Sequence, residues 1–126
     1  MATKKKIQVT VNLKDREELN PYLDPNYQKV VVINAFHPFW GYCEVAESMI
    51  KRFNEEPANN NKIDWVSIEC SQIQDIIPKD CKFGAKPKYF IFVKGELFEN
   101  PIDGINLPKI TEQINKSYAR FEEPVL

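Results

Sequence analysis

Three thiols, Cys43, Cys70 and Cys81, and one imidazole, His37, are the side chains of this chain best suited to nucleophilic, redox or metal chemistry. A zinc site groups its ligands at short spacing, and here no two cysteines lie close in sequence and a single histidine stands apart from them, so no metal is expected. An odd number of widely spaced cysteines does not build a disulfide framework either. Cys70 and Cys81 therefore read as reduced thiols serving as small apolar residues, and His37 as a loop histidine. Cys43 is different, because it closes the stretch "FHPFWGYC" and stands in the first turn of a predicted helix. Packing there would shield the thiol. Disulfide exchange needs an exposed, acidified thiolate and a second thiol to resolve the mixed disulfide. Around Cys43 stand three large rings, Phe39, Trp40 and Tyr42. Each can bury on the order of 150–250 Å², and two of them exposed together would approach the apolar area that marks a binding surface.

The elements that must position this stretch follow from the hydrophobic pattern. "KIQVTVNL" alternates as a half-buried strand does, and "DREELNPYL" offers a cap at Asp15 and a breaker at Pro21, which predicts a short helix. "KVVVINAF" is apolar at consecutive positions, as a central strand covered on both faces is. From Tyr42, apolar residues at Cys43, Ala46, Met49, Ile50 and Phe53 recur at helical spacing, with a stop near Pro57. "KIDWVSIEC" reads as a strand, "SQIQDII" as a short helix ending near Pro78, and "KYFIFVKG" as a strand paired through a Lys94-Gly95 corner with "ELFENPID". Leu107, Ile110, Ile114, Tyr118 and Phe121 form a last helical stripe, with Pro108 tolerated in the first turn. The order β-α-β-α-β-α-β-β-α implies an α/β sandwich: a mixed central sheet of about five strands with about four helices on its two faces.

Composition narrows the function classes. A chain of 126 residues fits one domain, residues 1–126, able to bury roughly two-thirds of its unfolded surface. A net charge of -1 gives no overall attraction to nucleic acid or anionic lipid. The amino-terminal lysines are not followed by a signal-peptide core, and the run "VVVI" is far too short to span a bilayer, which points to the cytoplasm.

The order of elements, the apolar strand running into "FWGYC" and the proline opening the fourth strand together resemble thioredoxin, over roughly Ile7 to Tyr118. The resemblance implies a thioredoxin-like three-layer sandwich. Thioredoxin-like oxidoreductases carry Trp-Cys-Gly-Pro-Cys between strand and helix, where this chain has Phe39-Trp40-Gly41-Tyr42-Cys43. Trp40 then takes the place of the attacking cysteine, and Cys43 that of the shielded second one, so no catalytic residue is expected. The family often sets a buried acid on the preceding strand; the matching residue is Asn34, which cannot titrate and is expected to be a polar side chain satisfied inside the fold. Pro87 matches the proline that the family holds in the cis form beside the site, and Lys86 and Lys88 flank it.

The segment "FGAKPKYFIFVKGELFENPIDGINLPKI" is similar to thioredoxin-like light chains of axonemal outer-arm dynein, and to thioredoxin domains joined to nucleoside diphosphate kinase modules in flagellar proteins. That likeness implies a role as a subunit of a larger complex, and with Trp40 in the nucleophile's place the subunit is expected to be redox-inactive. Its partner would be a protein, a dynein heavy chain or a docking or adaptor subunit in the axoneme of a cilium or flagellum, bound through Phe39, Trp40, Tyr42, Lys86 and Lys88. No cofactor, small-molecule substrate, nucleic acid or membrane is expected. Two alternatives stay open: a monothiol redox protein using Cys43, and a thioredoxin-fold chaperone or adaptor outside cilia.

Overall fold

A computed structural model describes residues 10–39, 46–56, 62–83 and 86–122. Its centre is β2, Val30–Phe36, whose residues are buried except for the half-buried Phe36. A strand this apolar has no face to give to water, so it takes the middle of the sheet. On one side β2 pairs in parallel with β3, Ile63–Glu69, and β3 pairs in parallel with β1, Thr10–Asn12. On the other side β2 pairs antiparallel with β4, Lys88–Val93, and β4 with β5, Glu96–Asp103. The sheet thus has five strands in the order β1-β3-β2-β4-β5.

One face is covered by α2, Ala46–Glu55, and α3, Leu107–Glu122. Ile50 and Phe53 of α2 and Ile110 and Ile114 of α3 pack on Val32, Trp65, Tyr89, Ile91, Phe98 and Ile102 of the strands. The Phe53 ring meets Trp65 edge-on at 5.8 Å, and the Trp65 indole donates to Asn54 Oδ1 at 3.0 Å, so this large side chain has its polar handle satisfied. The other face carries α1, Arg16–Leu19, capped by Asp15, whose carboxylate accepts from the Glu18 N–H at 3.1 Å. Leu19 joins Ile73 and Ile77 there in covering Val31, Ile33, Val66, Ile68, Phe90 and Phe92.

Two expectations need correcting. The helix expected in "SQIQDII" is a single 3-10 turn at Cys70–Gln72 followed by turns; Ile73 and Ile77 mimic helical spacing because both anchor the segment to the sheet. Together with a 3-10 turn at Asn20–Leu23, this leaves three α-helices among the described residues. Leu107 opens α3 but is 39% exposed instead of joining the buried stripe. The Lys94-Gly95 corner is as expected: both residues have positive φ, 52° and 82°, the signature of a tight hairpin turn whose twist matches its strands.

Candidate functional site

Strand directions bring three loops to one end of the sheet. β2 and β5 both end there, and β4, which runs antiparallel between them, begins there. Residues 37–39 follow β2, residues 86–87 precede β4, and residues 104–106 follow β5, so the loop at Pro87 lies between the other two.

Each loop is held by identifiable bonds. The Phe39 N–H donates to His37 Nδ1 at 3.1 Å, which folds the loop back on itself and leaves the Phe39 ring 78% exposed. Pro87 is buried, and its carbonyl accepts from the Gly104 N–H at 2.7 Å. Gly104 adopts φ +69°, a conformation L side chains rarely take, and a Cβ there would stand 3.6 Å from Lys86 Cδ. The lysine stem therefore lies along the glycine while the residue stays exposed. Beyond Gly104, Ile105 is 40% exposed, and Asn106 starts α3 with its side-chain oxygen accepting from the Lys109 N–H at 3.3 Å.

The sequence-derived residues fall out as follows. Trp40, Gly41, Tyr42 and Cys43 lie outside the described residues. Phe39 and Lys86 are exposed on adjacent loops. Lys88 is committed instead: its ammonium donates to Asp103, the residue opposite it on β5, and its side chain is 15% exposed. No peptide bond among the described residues is cis, so the bond entering Pro87 is trans, where the resemblance implies cis. Trans is the form an X–Pro amide favours by about 0.5–1 kcal/mol. Asn34 is 2% exposed, but neither its Oδ1 nor its Nδ2 has a hydrogen-bond partner, so the expected satisfied amide is not found. Its cross-strand neighbours explain this: the Ser67 hydroxyl is turned to Asn12.

Sequence reasoning missed Ile105 and Asp103. An isoleucine directly after a strand-end glycine and directly before a capping asparagine was the available signal for the first, since neither neighbour can cover it.

The thiols among the described residues are not activated. Burial pushes Cys70 up from its ordinary value, and it is 5% exposed. Burial also raises the half-buried Cys81, outweighing the lowering effect of the nearby Lys88 ammonium. Both therefore hold their protons more tightly than a free cysteine. Among the described residues no cluster of three or more His, Cys, Asp or Glu side chains gathers that could hold a metal, and no helix is long and apolar enough to cross a membrane.

Solved structures similar to this one include several thioredoxins. Thioredoxin NaTrxh from Nicotiana alata superposes with a TM-score of 0.64 at 15% identity, covering 92% of this chain and 98% of that one. The thioredoxin of Malassezia sympodialis gives 0.62 at 17% identity, covering 92% and 96% of the two chains. The Schistosoma mansoni thioredoxin gives 0.61 at 19%, covering 85% and 96%. No family model matches the chain, and no curated protein matches it in sequence. The chain has the thioredoxin-like α/β fold, and its loop cluster occupies the end of the sheet where β2 leads into α2.

Proposed function

We propose that the protein is a thioredoxin-fold subunit that binds another polypeptide and does not exchange disulfides. The observation that carries this reading is the exposure of Phe39, Lys86 and Ile105 on three neighbouring loops, two apolar side chains and a cation at one end of the sheet. Such a surface suits a peptide segment with an apolar anchor and an acidic neighbour. The chemistry of residue 40 supports the same reading, since an indole stands where the resemblance puts the nucleophile. The likeness of residues 83–110 to dynein light chains makes the axoneme the proposed location and a dynein heavy chain or docking subunit the proposed partner.

Purification from the native source with identification of what co-elutes tests the partner: dynein chains in the same peak are expected, and a peak without them removes the axonemal assignment. The surface is tested by Phe39→Ala. Truncating an aromatic anchor at an interface commonly costs about 2 kcal/mol or more, a loss of roughly thirtyfold in affinity. Capture of the native partner should fall by that factor while thermal stability is unchanged, because the ring is already largely in solvent. Undiminished capture would place the contact elsewhere.

A further inference from the structure

We infer that Asn34 holds an internal water molecule together with Ser67, one row beneath the loop cluster. The register carries the argument. Asn34 on β2 stands opposite Ser67 on β3 and Tyr89 on β4, and Ser67 stands opposite Asn12 on β1. Residues in one register row share a face of the sheet, so Asn12, Ser67, Asn34 and Tyr89 make a polar row across four strands on the face that α2 and α3 cover. The row is dry to bulk solvent at its centre: Ser67 is 1%, Asn34 2% and Tyr89 0% exposed.

Within this row Asn34 is the member left without hydrogen bonds at either end of its amide. A carboxamide has two protons to donate and one oxygen to accept with. In the next row toward the starts of β2 and β3, the positions on β3, β2, β4 and β5 are Trp65, Val32, Ile91 and Phe98, and the one hydroxyl of that row, Thr10, stands on β1, two strands away from Asn34. The Ser67 hydroxyl has its proton committed to Asn12 Oδ1 and keeps its lone pairs. A water between the two side chains accepts from the Asn34 amide and donates to the Ser67 oxygen, which gives the amide nitrogen a partner and uses a free lone pair of the serine. Serine also fills far less of the space above β3 than the tryptophan two residues before it. Stripping a buried amide of every hydrogen bond costs more than immobilising one water, so the hydrated arrangement is the stable one.

The experiment is water-selective nuclear Overhauser spectroscopy on the nitrogen-labelled, folded protein, read at the Asn34 side-chain amide protons. A cross-peak to water with the sign of a molecule bound for longer than the tumbling time is expected. Its absence overturns the inference. Oxygen-17 relaxation dispersion on Asn34→Leu gives a second reading, with the loss of one long-lived water expected and an unchanged number contrary to the proposal. Should that variant fail to fold, Ser67→Ala serves, because it removes the second partner while keeping the amide: the Asn34 cross-peak should weaken, and a cross-peak of full strength would refute the bridge.

Discussion

An indole has no sulfur to attack a disulfide and no proton to give up near neutral pH, so on the proposed reading, with Trp40 in the nucleophile's place, the exchange reaction would lack its first step. In an insulin turbidity assay the protein should show no turnover above that of a Cys43→Ala control; clear turnover would restore the monothiol alternative. Trp40→Cys should recover partial activity at most, because Asn34 still offers no buried acid to move a proton. At this scale the sequence tells residue type plainly and surroundings poorly. That Asn34 cannot titrate is legible in one letter, whereas its lack of partners depends on a serine thirty-three positions away that turns toward Asn12. Lys88 shows the same limit. Its pairing with Asp103 follows from the register of a hairpin, and nothing in the local string "KPKY" announces it.

Gly95 ties two elements together. A Cβ built on it would stand 2.3 Å from the Leu23 carbonyl oxygen, and its φ of +82° already disfavours any side chain, so the β4–β5 hairpin tip rests on the 3-10 turn at Asn20–Leu23 through this bare position. Gly95→Ala should lower the unfolding free energy by about 1–3 kcal/mol, read as a lower urea midpoint. A variant as stable as the parent would mean that the hairpin tip moves away freely. Elements of this kind were readable where one signal dominates: consecutive valines for β2, a Lys-Gly corner for the hairpin, a long apolar stripe for α3. The segment after β3 was not, since Ile73, Ile76 and Ile77 carry helical spacing over too short a stretch before Pro78, and packing on the sheet settles its backbone as turns. The candidate site was half legible. Its loops follow from strand order, while the exposure of Ile105 and Leu107 depends on how α3 begins.

Across the whole molecule, tyrosines link stability to alkaline pH. Burial pushes the Tyr118 phenol up to about 12, and burial together with a hydrogen bond donated to the Asp64 carboxylate raises Tyr27 as well. In the unfolded chain both ionise near 10. The folded state thus keeps protons that the unfolded state releases, and the stabilisation is full below that pH and declines as pH rises toward the folded values. The urea midpoint should be level between about pH 8 and 9 and fall by about pH 11, less so in Tyr118→Phe; a flat profile in the parent would show that these phenols are as free as in the unfolded chain. The outer strand β5 has a further consequence. Its register slips opposite the Tyr89–Ile91 stretch, Glu99 takes a positive φ, Pro101 has no N–H to give, and Glu96 and Asp103 put charge near both ends. A second copy laid along that edge would find a broken ladder of donors and like charges, so molecules crowded together cannot zip into a shared sheet on that side.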